Sequence, residues 1–278
     1  MVSVSSSTVG GVYASQVNRS ERDATKSLLQ VSSGKAINKA SDNAAGLAIA
    51  SQLLSDVSTL KQVSTNLVQA SSVLQTADGS LEQTGNILNR MKELSTQAGS
   101  GSLDVNSQKA VNDEYQNLKT ELDKTSNSTS FNGQQLVNGT YNNDFQTGTS
   151  ATDVLNVNLT GIDSSSTGLG FTAGGAGSAT ALSTPTEAKA ASADLDNAIR
   201  KVSSYRAEVG ALQSNVSTRS EVVDSNIESD LSAQSAIMDA DIGKSMSEFT
   251  NSKLLNEVAL ASAAQGNKMN ASMLKLVR

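Results

Sequence analysis

The chain has 278 residues, a formal net charge of −6 and an isoelectric point near 4.8, and it contains neither cysteine nor histidine. This inventory excludes disulfides, thiolate nucleophiles, thiolate or imidazole metal ligands and the usual general base near neutral pH. The acidic balance gives no electrostatic basis for binding nucleic acid or an anionic membrane surface. Aromatic residues make up 3% of the chain, so small aliphatic residues must form any core, which favours helix packing over a thick globular core.

The sequence also lacks the usual membrane and targeting signals. No stretch approaches the roughly 18 consecutive apolar residues of a membrane span. The segment Met1–Gly11 is rich in serine and valine and lacks the apolar core of about 7–15 residues that a cleaved secretory signal has. We therefore expect no membrane insertion and, if the protein leaves the cell, export without a cleaved signal peptide. No cofactor and no enzymatic activity are expected.

A first long helix is predicted from about Asn43 to Ala98. It follows Val2–Leu29, which is compatible with a helix but has a weaker apolar pattern. In the long helix, apolar or small residues alternate in steps of about three and four, the pattern of a coiled-coil seam. The seam positions are Leu60, Val63, Leu67, Ala70, Leu74, Ala77, Leu81, Thr84, Leu88 and Met91.

After this helix the character of the sequence changes. Gly99-Ser100-Gly101 breaks the helix, and Val105–Lys124 predicts a shorter one. Asn132-Gly133 and Asn138-Gly139 are dipeptides typical of hairpin turns. Val154–Leu159 alternates in polarity over the length of a strand. The middle of the chain therefore predicts a small β-hairpin region.

The sole proline, Pro185, follows a loop-like segment (Ser164–Ser183) and marks the start of another long helix. Thr184 can cap this helix, proline suits its first position, and Glu187 can complete a capping box. The seam pattern continues through Ala188, Ala191, Leu195, Ala198, Val202, Tyr205, Val209, Leu212 and Val216. Each of the two long helices therefore needs a partner.

Together these elements predict a mainly α fold of long, antiparallel, coiled-coil-like helices. The two chain ends, Val2–Leu29 and Ile242–Val277, can pair with each other, because the two seams already bring the halves of the chain alongside. We assign the predicted assembly seam to the larger aliphatic residues of the two series: Leu60, Leu67, Leu74, Leu81, Leu88, Leu195, Val202, Val209, Leu212 and Val216.

One contiguous stretch carries a family resemblance. Leu29–Ala50 reads LQVSSGKAINKASDNAAGLAIA and closely resembles the signature of bacterial flagellins, LSSGxxINxAxDDAAGxAIA. Further matches follow in the family's order at Leu88–Ser95, Phe131–Gly133 and the terminal Leu276–Arg278. Together these matches span nearly the whole chain.

The resemblance implies how the chain divides into domains. Residues 1–42 and 235–278 form an inner domain of paired terminal helices, the first with a linker. Residues 43–126 supply two helices of a shaft domain, and residues 185–234 supply its third helix. Residues 127–184 form a turn-rich, β-hairpin and loop region between them. Because this region is short, the chain resembles a flagellin with a minimal variable part.

The resemblance also implies a function. It points to a structural subunit of the extracellular bacterial flagellar filament, a helical polymer of one protein that acts as a propeller for motility. Flagellins leave the cell unfolded through the flagellar type III export channel and assemble under a cap protein. Copies of the same chain and the flagellar cap, junction and export chaperone proteins are therefore the implied partners.

A receptor site is implied in the same way. Arg90, Leu94 and Glu114 match family positions recognised by the vertebrate Toll-like receptor for flagellin, and Leu88, Asn89 and Gln97 lie on the same stretch. Packing within the shaft is the alternative role for these residues. Both roles can coexist, because a receptor can bind a surface that assembly buries.

Three other functions compete with the filament subunit. A hook-filament junction protein belongs to the same superfamily and also polymerises. A cell-surface adhesin or carbohydrate-binding protein would hold its ligand in the turn-rich region and remain a folded monomer. An enzyme is disfavoured, since the S-x-x-K run Ser32–Lys35 is expected by chance in a serine-rich chain. The acidic residues near the C-terminal end lack metal-site spacing and indicate solvated helix faces.

Overall fold

The computed structural model describes the backbone of residues 2–171 and 181–276, and the side chains of residues 11–171, 181–269, 271 and 272. Residues 172–180 of the predicted Ser164–Ser183 loop lie outside the described residues, as do Val277 and Arg278 of the terminal motif.

The described chain is mainly α-helical, as the sequence predicts. The second helix begins and ends within one residue of the predicted Asn43–Ala98 span, and the third extends beyond the predicted Val105–Lys124. In chain order the helices are α1 Val2–Ser33, α2 Ala44–Gly99, α3 Val105–Ser128, the single turn α4 Ser166–Leu169, α5 Pro185–Met238 and α6 Ile242–Leu276.

Local side-chain bonds explain where the helices begin. At the start of α5, the backbone N–H of Glu187 donates to Thr184 Oγ1 at 3.2 Å, and Glu187 Oε2 accepts from the backbone N–H of Thr184 at 3.1 Å. This is the predicted capping box, and it is confirmed. A second cap was not predicted: Asp104 Oδ1 accepts from the backbone N–H of Ser107 at 3.3 Å and starts α3.

The β region consists of two short antiparallel pairs. Strands β1 (Ser130–Phe131) and β2 (Gln134–Gln135) flank Asn132 and Gly133, whose φ values of 49° and 79° give the predicted two-residue hairpin turn. Strands β3 (Asn142–Gln146) and β4 (Val154–Asn158) pair in register from Asn142↔Asn158 to Gln146↔Val154.

The second predicted turn dipeptide behaves differently. Asn138-Gly139 does not connect two adjacent strands, because Asn138 instead forms an isolated bridge with Asp163. Its Oδ1 accepts from the backbone N–H of Thr140 at 3.2 Å, and Gly139 has a φ of 79°. The dipeptide is a local Asx-type bend stabilised by a long-range partner, which local sequence does not reveal.

Contacts divide the chain into two units. The central unit is Ser58–Ile227, and the terminal unit combines Met1–Val57 with Glu228–Arg278. Both boundaries fall inside helices α2 and α5, whereas the sequence-based division places its boundaries at residues 42 and 234.

The core of the central unit is the predicted seam. Its α2 and α5 members are buried, except Tyr205 and Leu212, which are half-buried against the same cluster. Val111, Tyr115 and Leu122 of α3 join this core, as do Leu136, Val157 and Phe171 of the region between α3 and α5. Burial raises the pKa of Tyr115. A fully buried leucine contributes roughly 1.5–3 kcal/mol, so these side chains hold the helices of one protomer together.

One seam position is polar and buried. Thr84 is fully buried between Leu81 and Leu88, and its Oγ1 has no hydrogen-bond partner among the described residues. By contrast, the buried Ser95 has a partner, since its Oγ donates to the carbonyl of Ala188 at 2.6 Å. In residues 2–171 and 181–276, no helix combines the length and apolarity that crossing a membrane needs.

Candidate assembly and recognition surfaces

Helices α1 and α6 pair in the terminal unit through a seam of mostly small and polar side chains, with Tyr13, Val17 and Phe249 as its larger members. On α1, the covered positions recur at heptad spacing: Tyr13, Val17, Ser20, Ala24 and Ser27. On α6 the equivalent series is Ser245, Phe249, Ser252, Asn256 and Ala259. Serine and alanine let two helices approach closely, but each buries little apolar area. The pair is therefore weakly stabilised by its own seam.

Apart from Phe249, the large apolar side chains described on α6 lie outside this seam. Successive residues lie about 100° apart around a helix, so these side chains cover all the sides of α6 that the seam leaves free. These side chains are Ile242, Met246, Leu254, Leu255, Val258, Leu260 and Met269, and each is between 46% and 60% exposed. A soluble monomer rarely leaves so many large apolar groups on one element, so this distribution marks a protein-binding surface. We call these seven residues the α6 apolar surface.

The two linkers of the terminal unit are joined through their main chains. The backbone N–H of Ala36 donates to the carbonyl of Met238 at 2.6 Å, and the backbone N–H of Ala240 donates to Gly34 at 2.9 Å. Gly34 ends α1 with a φ of 71°, a conformation that favours glycine. The α1–α2 and α5–α6 connections are thus held to each other, and the flagellin-like signature supplies one side.

Two acidic or amide side chains shape the first linker. Asp42 Oδ2 accepts from the backbone N–H groups of Lys39 at 3.0 Å and Asn38 at 3.1 Å. These bonds lower the pKa of Asp42, so they are present at neutral pH and are lost as the pH falls below the ordinary aspartate range. Asn43 Oδ1 accepts from the backbone N–H of Gly46 at 2.9 Å and caps α2.

Packing disfavours a larger side chain at Gly46. A Cβ at this position would lie 2.7 Å from Asn43 Nδ2 and 2.8 Å from Ile37 Cδ1. Ile37 is buried in a small cluster with Ala50 and Met238. The capping side chain and the apolar contact of the linker therefore both occupy the space beside this glycine.

The receptor residues expected from the resemblance fall into two groups. Leu88 and Leu94 are 0% and 2% exposed and belong to the core of the central unit. Asn89, Arg90 and Gln97 on α2 are exposed, as is Glu114 on α3. A partner that binds this face reaches the polar group, whereas the two leucines act through packing.

Arg90 organises the polar group. Its Nη2 and Nε lie 2.7 and 3.0 Å from Glu114 Oε1, and its Nη1 lies 2.9 Å from Glu93 Oε2. The bonds to Glu114 and then Glu93 raise the pKa of Arg90. Because all three side chains are exposed, the network orients the guanidinium and contributes little to stability.

Two further points concern the acidic residues and the α6 apolar surface. Among the described residues, no three carboxylates lie where they could hold a metal ion. Sequence reasoning named none of the α6 apolar surface as site residues. One signal in the sequence points to this surface. The apolar residues of Ile242–Val277 form no single stripe, which indicates a helix that is covered on several sides.

Comparisons with known proteins agree with this arrangement. The family model described as the bacterial flagellin N-terminal helical region matches residues 4–142, and the C-terminal helical region model matches residues 193–277. A flagellin of Halalkalibacterium halodurans is 33% identical, with 91% of each chain covered. A flagellin of Bacillus subtilis is 34% identical, with 91% of this chain and 92% of the relative covered.

A solved structure is also similar. The crystal structure of Bacillus cereus flagellin has 26% sequence identity and a TM-score of 0.50. The match covers 57% of this chain and 88% of that one.

The packing around two glycines of α2 predicts opposite effects of an alanine substitution on the free energy of unfolding. Gly46→Ala should destabilise the terminal unit by about 1–3 kcal/mol, because the new methyl group displaces the capping side chain of Asn43. Gly79→Ala is the matched control. A Cβ added at Gly79 would have no atom within 4 Å, so this substitution should stabilise the helix by about 0.5–1 kcal/mol. Denaturant unfolding followed by circular dichroism measures both, and a stabilising Gly46→Ala would contradict the packing account.

Proposed function

The chain belongs to the bacterial flagellin family, and on that premise we propose how it assembles, leaves the cell and is recognised. It is a structural subunit of the bacterial flagellar filament, an extracellular polymer of copies of one chain. The junction-protein, adhesin and enzyme alternatives are not favoured, because the curated relatives that match most of the chain are flagellins.

The α6 apolar surface is the single observation that carries the assembly mechanism. The α1–α6 seam covers mainly serine and alanine beside Tyr13, Val17 and Phe249, while large aliphatic groups remain half-exposed around α6. Covering each of them by a neighbouring copy contributes about 1 kcal/mol. Seven such groups offset part of the roughly 4–15 kcal/mol that association costs. A subunit thus gains its missing apolar burial only in the polymer.

The predicted seam in the central unit has a different role. Its side chains are buried within one protomer, so they shape and stiffen the central unit. The seam contributes to assembly by fixing α2 and α5, and contacts between copies are made by exposed groups.

The proposed export route and partners follow from the apolar side chains that an isolated subunit leaves exposed. We propose export in an unfolded state through the flagellar type III channel without a cleaved signal, and assembly with cap, junction and export chaperone proteins. The absence of cysteine suits a chain that is threaded unfolded and refolds outside the cell. A helix with exposed leucines also needs cover before export, which is a reason for a chaperone to bind α6.

The exposed face of α2 and α3 supports receptor recognition. We propose that Asn89, Arg90, Gln97 and Glu114 are read by the vertebrate Toll-like receptor for flagellin, with Leu88 and Leu94 holding the helices beneath them. Arg90 donates from both Nε and Nη2 to Glu114 Oε1, which orients the guanidinium on the surface, and arginines are frequent energetic centres of interfaces.

The assembly mechanism predicts the outcome of a polar double substitution. Leu254→Gln with Val258→Gln should abolish seeded filament growth and leave the monomer folded, because both side chains are solvent-exposed in the protomer. Val222→Gln with Val68→Gln is the matched control, since its side chains have the same exposures of 54% and 60% but lie in the central unit. Sedimentation and electron microscopy measure the yield of filament. Normal growth of the α6 variant would contradict the proposed assembly mechanism.

Receptor recognition predicts an effect of Arg90→Ala in reporter cells treated with monomer. The concentration for a half-maximal response should rise about tenfold or more, because a central interface arginine is lost. Arg206→Ala is the matched control, since Arg206 also pairs with two acids, Asp78 and Glu82, at the surface. Receptor recognition is ruled out if the unmodified monomer gives no response, and the role of Arg90 fails if both variants respond alike.

A further inference from the structure

Helix α1 carries a row of cations on the side away from its seam. The row is Arg19, Arg22 and Lys26, followed by Leu29, with steps of three, four and three residues. Such steps place all four on one face of a helix. The three cations are exposed, and Leu29 is 39% exposed. We call these residues the basic stripe.

Helix α5 carries the opposite charge at the same spacing. Glu221, Asp224 and Glu228 are followed by Leu231, again with steps of three, four and three. The three carboxylates are exposed, and Leu231 is 40% exposed. No lysine or arginine occurs between Arg219 and Lys244. We call these four residues the acidic stripe.

Among the described residues, neither stripe forms an ion pair within the protomer, although Lys26 lies close enough to Asp42 to help lower the pKa of that carboxyl. In residues 11–171 and 181–269, none of the six charged side chains lies within ion-pair distance of an opposite charge. Elsewhere the same chain does form such pairs, as between Arg206 and Asp78 at 2.9 Å. Six charges therefore stand unpaired in two rows of matching length.

The basic stripe also borders a concave site. Arg22, Lys26 and Leu29 line a cleft of about 520 Å³ that is closed on its other side by the first linker. Lys39 adds a cation to this wall. The cleft also contains Glu21 and Asp42, and the Asp42 carboxylate is engaged by two linker N–H groups. The cleft thus has a positive balance and room for carboxylate side chains from another helix.

We propose that the basic stripe of one subunit binds the acidic stripe of a second copy of this chain in the filament. The charges are complementary in number and spacing, and each stripe ends in a half-exposed leucine. Arg22 and Asp224 stand at the middle of their charged rows, so they meet whether the two helices run parallel or antiparallel. Ion pairs of this kind select the register and partner of an interface that apolar burial stabilises.

This inference rests on the proposed filament function, and a charge swap tests it separately. Arg22→Asp and Asp224→Arg, made singly in the full chain, should each slow seeded elongation about tenfold, because a like-charge contact replaces an attractive one. The double variant should grow within about threefold of the unmodified protein, because the pair is restored with reversed polarity. Turbidity and sedimentation measure elongation, and circular dichroism shows that each monomer is folded.

Matched controls separate this contact from net charge. Lys61→Asp and Asp113→Arg change the same charges at exposed positions outside both stripes, and both should grow at the unmodified rate. The inference is overturned if the single stripe variants grow normally, if the controls are equally slow, or if the double variant is no faster than either single one. Failure of the unmodified protein to form filaments would instead overturn the proposed function, and the inference with it.

Discussion

The structure depends on one constraint in its terminal unit: α1 and α6 are joined mainly by small side chains, while the large aliphatic groups described on α6 face outward. Ser20, Ser27 and Ser245 are buried in this seam, whereas Val258 and Leu260 are more than half exposed. A helix pair in a self-sufficient domain has the reverse distribution. This distribution supports the proposal that other copies complete the terminal unit, whose internal seam buries little apolar area.

The central unit supplies what the terminal unit lacks. Leucines at heptad spacing on α2, valines on α5 and Tyr115 on α3 form a core with almost no exposed area. The flagellin-like signature lies at the other end of α2, where Gly34, Asp42 and Gly46 set the path of the linker. One helix thus carries both a stable seam and the turn that leads into the assembly helices. Stability is placed where the subunit must be rigid, and apolar surface is left where subunits must meet.

Much of this fold follows from local sequence. The heptad steps predict α2 and α5, the Thr184–Glu187 capping box fixes the start of α5, and Asn132-Gly133 predicts the β1–β2 turn, because each depends on residues within a few positions. The pairing of the two linkers rests on bonds between Ala36 and Met238, which no local pattern reveals. Asn138-Gly139 was misread for the same reason. The α6 surface was missed because its leucines form no single stripe, and the acidic stripe was noticed only as a solvated face.

Hydrogen exchange, followed by mass spectrometry on monomer and filament, tests the central claim most directly. The account predicts that backbone amides of α1 and α6 exchange rapidly in the monomer while the α2 and α5 amides of the central unit are protected, and that all four helices are protected in the filament. Strong protection of α6 in the isolated monomer, equal to that of the α2 seam around Leu74 and Leu81, would contradict it.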